Sequence, residues 1–130
     1  MNKKLNYVTY QTFPAQTANS LQTISNIKYL IKHGVEVSLY FPLREKQSTA
    51  DIKYLQDFYK FTEIFNSFGI KHPYPHGKIK FIPKLWFHLS HILWSRKLIK
   101  KSFKNDRDNY FFTRSDWIAY FLAKQESKVV

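Results

Sequence analysis

Leu30-Ile31-Lys32-His33-Gly34-Val35-Glu36-Val37-Ser38-Leu39-Tyr40-Phe41 carries a helix end, a stop and a strand in one short stretch. Reading back from it, Leu21, Ile24, Ile27, Leu30 and Ile31 recur at helical spacing and make one apolar face. Lys32 and His33 place cations in the last turn, and Gly34 stands where a helix stops. Further upstream, Leu5–Tyr10 is a short β-prone run, and a polar loop with Pro14 separates it from the helix. Asn19, with Gln22 three residues on, reads as a capping box at the helix start. Reading forward, Val35–Phe41 is a strand closed by Pro42. Strand, helix and strand with short joints give a parallel pair with a right-handed crossover.

The remaining segments extend this pattern. Ser48 or Thr49 caps a second helix whose inner face is Ile52, Leu55, Phe58 and Tyr59. The stretch from Phe61 to Gly69 reads either as its continuation or as a separate short helix. Pro73 and Pro75 mark turns, and Lys78–Ile82 alternates like a short edge strand. Pro83 opens a long helix over Leu85–Phe103. Tyr110–Thr113 is compact and apolar, fit for a central strand. Ser115 caps a short helix with Asp116 in its first turn and Trp117, Ile118, Phe121 and Leu122 inward. Lys128–Val130 begins another strand. The expected class is α/β: a Rossmann-like parallel sheet flanked by helices on both faces, with Leu5–Tyr10 between Val35–Phe41 and Tyr110–Thr113.

A chain of 130 residues holds one domain. Its 44% hydrophobic and 18% aromatic content excludes a disordered polymer despite a net charge of +12. Cysteine is absent, which excludes disulfides, thiolate metal sites and a cysteine nucleophile. Met1–Lys4 resembles a signal-peptide start, but Leu5–Tyr10 is too short and polar for the apolar core of one. No apolar run is long enough to span a membrane, so a cytoplasmic location is expected. Between Glu63 and Asp106 there is no acidic residue, while Lys71, Lys78, Lys80, Lys84, Arg96, Lys97, Lys100, Lys101 and Lys104 all fall there. Such a segment either attracts phosphate, on lipid, nucleotide or nucleic acid, or forms a solvated basic face.

Three stretches together resemble the N-terminal domain of family-4-like glycosyltransferases of the GT-B fold. They are Tyr7–Tyr10 with Ala18–Gln22, then Leu30–Tyr40, then Tyr110–Trp117 leading into Lys128–Val130. The resemblance covers most of the chain and is thinnest from Ser67 to Lys104. It implies retaining transfer of a sugar from a nucleotide-sugar donor to an acceptor, in cell-surface glycan or glycolipid synthesis. It also implies that this domain holds the acceptor. A C-terminal domain, matched by nothing in these residues, would bind the donor and supply a pair of glutamates. On this reading residues 1–130 are an incomplete GT-B half, truncated at the C-terminal end and inactive alone. The catalytic residues stay unassigned, because the strand starting at Val129 would lead to the family's active-site histidine.

Candidate site residues follow strand ends. The loop after the first strand offers Thr12, Ala18, Asn19 and Ser20 to a substrate, where free helix amides suit an anionic group. Capping alone also explains Asn19. The chain has only three glycines, so no glycine-rich turn admits a diphosphate, and no cofactor is expected. Arg114 either meets an acceptor phosphate or carboxylate in a bidentate pair or bridges to Asp116 or a nearby loop. His72, His76, His88 and His91 match no zinc spacing, so no metal is expected. Trp86 and Trp94 beside Arg96, Lys97, Lys100 and Lys101 suit an anionic membrane surface, and equally a core helix with a solvated tail. A small basic nucleic-acid-binding or membrane-surface protein is the alternative function, although no recognised nucleic-acid motif is present.

Overall fold

The computed structural model of the chain describes residues 4–72 and 83–130. Among the described residues nine elements alternate: β1 (Lys4–Val8), α1 (Ala18–Lys32), β2 (Glu36–Leu43), α2 (Ile52–Tyr59), β3 (Asn66–Lys71), α3 (Pro83–Ser102), β4 (Tyr110–Phe112), α4 (Asp116–Lys124) and β5 (Lys128–Val129). The strands form a single five-stranded sheet in the order β3-β2-β1-β4-β5, and every pairing is parallel. β1 is central, as expected, with Leu5 opposite Val37 on one side and Tyr110 on the other. The expected strand at Lys78–Ile82 lies outside the described residues, as does His76.

Side chains that alternate across the strands fill two cores, one on each face of the sheet. Tyr7, Val37, Leu39 and Phe41 point to the first, where Ile24 and Ile27 of α1, Leu55 of α2 and Phe13, Phe61 and Phe65 of the loops meet them. Val8 and Phe111 point to the second, against Trp94, Leu98, Ile99 and Phe103 of the α3 segment and Ile118 and Leu122 of α4. Burying each large apolar side chain contributes about 1.5–3 kcal/mol, so both faces of β1 and β4 are held by packing.

Several local expectations give way. The α1 cap is Thr17, whose Oγ1 accepts from the Ser20 amide at 3.2 Å, and its carbonyl takes the first helical bond from the Leu21 amide. Asn19 is therefore exposed inside the first turn and caps nothing. Leu21 is 50% exposed, one residue past Ser20, which takes that place in the buried stripe. Asp51 caps α2 by accepting from the Lys53 amide, while Ser48 and Thr49 brace the preceding turns. Phe58 is exposed, and so is Trp117, which packs on Tyr120 and Phe121 outside the core.

Pro42 does not close β2; it pairs in register with Ile70. The Tyr40 carbonyl accepts from the Thr9 amide, so that edge of β2 faces β1. Pro42, two residues on, faces the same way, but β1 has ended and no partner strand requires its missing N–H. The segment after Phe61 is not helical: 61–65 is a loop, and Asn66–Lys71 is β3, an edge strand. Phe61, Phe65 and Phe68 sit at helical spacing, which disguised it. Gly34 stops α1 with φ +81°, a conformation that suits glycine. Ser115 caps α4 as expected, accepting from the Ile118 amide.

The reassigned cap is directly testable by urea unfolding. Thr17→Ala is expected to cost about 1 kcal/mol, and Asn19→Ala to change stability by under about 0.5 kcal/mol or to raise it slightly. A larger loss from Asn19→Ala than from Thr17→Ala would place the helix start where the sequence pattern suggested.

Candidate functional site

In an open parallel sheet, ligands bind beyond the carboxyl ends of the strands, where the strand order reverses. Here the reversal lies between β1 and β4. The chain leaving β1 runs through residues 9–17, with a cis Phe13–Pro14 peptide bond, and the chain leaving β4 runs through Thr113 and Arg114 to the Ser115 cap. These two segments divide the carboxyl edge into two polar patches, one above each core.

The patch on the α1 side contains the predicted residues. Arg114 is exposed and donates from an Nη to Gln22 Oε1 at 2.6 Å, which ties the β4 loop to α1 across the crevice. It pairs with the side of α1 and not with Asp116. Ala18 and Asn19 are exposed at the rim, and Thr12 is half-buried. Ser20 is 1% exposed: it receives a hydrogen bond from Thr17 Oγ1 at 2.8 Å and donates to the Thr12 carbonyl at 3.4 Å. Its hydroxyl therefore holds the loop in place. Thr23 works similarly, donating to both Gln11 Oε1 and the Asn19 carbonyl. Arg114, Asn19 and the rim of the loop are what this patch presents to solvent.

The patch on the α3 side was not assembled from the sequence. Tyr10, Arg44 and His72 lie just beyond the ends of β1, β2 and β3, and Ser115 follows β4. His91 joins them from α3. The Tyr10 hydroxyl and His72 Nε2 are 2.7 Å apart. The Tyr10 ring stacks on His91 at 3.8 Å between centroids and 11° between planes. His91 Nε2 lies 2.6 Å from Ser115 Oγ. The Arg44 guanidinium carbon sits 4.5 Å from the Tyr10 ring centre and 5.5 Å from that of Phe87. Tyr10 and His72 are 7% and 5% exposed, so the cluster lies partly inside the domain.

Burial governs its electrostatics. Desolvation lowers His91 to about 4, and repulsion from Arg44, His88 and His72 adds to the shift. Desolvation also raises Tyr10, against an opposing pull from Arg44. Arg44 is lowered by burial, yet a guanidinium stays protonated at any working pH. At neutral pH the cluster thus holds one fixed cation and a neutral His91. Ser115 and His91 have the spacing of a nucleophile and its base, but a base near 4 takes a proton poorly at pH 7. The arrangement suits binding and orientation better than nucleophilic catalysis.

Of the described histidines, His72 and His91 have their Nε2 atoms against Tyr10 and Ser115 respectively. Among the described residues no three His, Asp or Glu side chains come together. The proposed membrane-facing set also divides. Arg96, Lys97, Lys100 and Lys101 are exposed, whereas Trp94 is 1% exposed in the second core and Trp86 is half-buried. Trp94 cannot wedge into a bilayer, because α3 needs it to cover Val8 and Phe111. Among the described residues no helix is long and apolar enough to cross a membrane. Comparison with protein-family models, curated proteins and solved structures finds no match.

Strand-end position was the available signal for Tyr10 and Arg44. His72 and His91 were noticed only as histidines, since nothing local joins residues so far apart in sequence.

The His91 environment predicts its titration. In ring NMR of the folded chain, His91 is expected to titrate near 4, and Arg44→Gln to raise that value by removing a cation. In the unfolded chain the same ring titrates near about 6.5. Between these values the unfolded state binds more protons, so stability is lost as pH falls through this window. His91→Gln should flatten that part of the stability–pH curve. A His91 titration at or above about 6.5 would contradict the burial and the proximity of Arg44.

Proposed function

We propose that this chain is the acceptor-side, Rossmann-like domain of a GT-B glycosyltransferase that moves a sugar from a nucleotide-sugar donor to a glycan or glycolipid acceptor. The observation that carries the reading is the all-parallel order β3-β2-β1-β4-β5, with a polar loop after β1 and, after β4, Arg114 bonded to Gln22 of α1 beside the reversal point. That is a ligand-binding geometry. The loop after β1 holds no glycine, so the crevice lacks the close-approach turn that a dinucleotide diphosphate requires. An acceptor hydroxylated on several faces fits better, with Thr12, Asn19 and Arg114 as hydrogen-bonding groups. The donor contacts and the catalytic glutamates belong, on this reading, to a second domain outside these residues.

A second reading concerns location and rests on the exposure of Arg96, Lys97, Lys100 and Lys101 along one helix. These cations dock the domain on an anionic bilayer, each contributing about 1 kcal/mol near the surface. With Trp94 buried, the attraction is electrostatic and fades with salt. Vesicle sedimentation should show binding to anionic but not neutral vesicles at low salt, reduced by Lys100→Glu with Lys101→Glu. Equal binding to both vesicle types would contradict it.

For the glycosyltransferase reading, octyl glycosides serve as acceptor probes. They are expected to shift the amide resonances of Thr12, Asn19 and Arg114, with Arg114→Ala weakening the best of them about tenfold, the size of a lost charge-assisted hydrogen bond. Incubated with UDP-glucose or GDP-mannose and the same glycosides, residues 1–130 should release no nucleoside diphosphate above buffer. Transfer by these residues alone would overturn the division of labour; shifts confined to other surfaces would overturn the acceptor site.

A further inference from the structure

Trp94 and Leu98 turn one side of α3 into the second core. Leu85, Leu89, Leu93, Arg96 and Lys100 recur at three- and four-residue spacing, so they share the side of the helix turned away from it, and all five are exposed. The leucines are 54%, 44% and 43% exposed, so an apolar stripe runs along the first half of the helix and gives way to cations in the second. α3 carries no carboxylate. Where α4 packs beside α3, Arg96, Lys100 and Lys124 line an open cleft of about 180 Å³, with Ile99 and Phe121 as its apolar part. The stripe and the cleft are continuous, because Arg96 and Lys100 belong to both.

We propose that this face of α3 enters an anionic lipid bilayer, with Leu85, Leu89 and Leu93 at the acyl boundary and a lipid phosphate in the cleft of Arg96, Lys100 and Lys124. The proposal rests on the membrane reading above and deepens it: the cations recruit the domain, and leucines take the place in the bilayer that Trp94, buried in the core, cannot. An apolar stripe beside cations matches the boundary between acyl chains and anionic headgroups, where one covers the leucines and the other meets the charges. A second copy is a poorer occupant, because it would bring together two chains of net charge +12. Each leucine is already about half covered by the domain, so the stripe does not hold the bilayer without the cations, and binding still fades with salt.

The chain has no cysteine, so Leu89→Cys carries a single environment-sensitive dye. With phosphatidylcholine–phosphatidylserine vesicles at low salt, its emission is expected to shift to the blue and to be quenched by brominated acyl chains. The same dye on Leu21→Cys, equally open at 50% exposure but on α1 across the sheet, should show neither effect. In sedimentation with these vesicles, Leu89→Gln with Leu93→Gln should weaken binding about tenfold, the size of two half-buried leucines lost. Lys124→Glu should weaken it as well, and Leu21→Gln should not. If the double leucine variant does not unfold cooperatively, the dye decides. Sedimentation with anionic vesicles but no blue shift from the Leu89→Cys dye would overturn this proposal and leave the electrostatic reading standing. No binding to anionic vesicles would overturn both. A dimer in ultracentrifugation that the leucine changes dissolve would give the face to a second copy and overturn the proposal.

Discussion

The fold depends on β1 being buried on both faces. Tyr7 fills the core beneath α1 and α2, and Val8 fills the one beneath α3 and α4. A strand in this position has parallel neighbours on both sides, so its backbone groups are satisfied within the sheet. Fixing β1 fixes the reversal of strand order beside it. The chain emerging from β1 must then pass over the carboxyl edge, where Tyr10 turns to one face and Phe13 to the other. Both polar patches stand on that one constraint.

The patches differ in kind. On the α1 side, short hydroxyl side chains hold the loop and leave Arg114 and Asn19 at the surface. On the α3 side, aromatic rings carry the polar groups: Tyr10 lies against His91 and within reach of Arg44. Large rings packed in this way lose little further freedom when a ligand arrives, which is how a binding surface is preorganised. Desolvation keeps His91 neutral while Arg44 stays charged, so the second patch has a fixed positive centre and a neutral imidazole on the same tyrosine ring.

What was legible in the sequence follows from where the information is local. The helix ending at Gly34 and the Val35–Phe41 strand were readable because a stop residue and both periodicities sit side by side. Ser115 was readable because its capping role needs only the next three residues. β3 was not, since an edge strand need not alternate cleanly and its phenylalanines mimic a helix stripe. Asn19 was overvalued because Thr17, two residues earlier, can do the same work and the helix begins there. Trp94 was misplaced because a basic aromatic helix looks the same whether its rings face lipid or core. Arg114 and Gln22 were each noticed for other reasons, but their pairing was not legible, since that contact depends on how α1 and β4 are set side by side. The Tyr10–Arg44–His72–His91 grouping is wholly tertiary, drawn from three strand ends and one helix.

The central claim is that the carboxyl edge around β1 is the ligand surface of this domain. Crystals soaked with a panel of saccharides and saccharide phosphates test it most directly. The account predicts density over the carboxyl ends of β1 and β4, touching Arg114 on one side or Arg44 on the other. Density clustered at the amino edge of the sheet or on the outer faces of the helices, with the carboxyl edge empty throughout the panel, would contradict it.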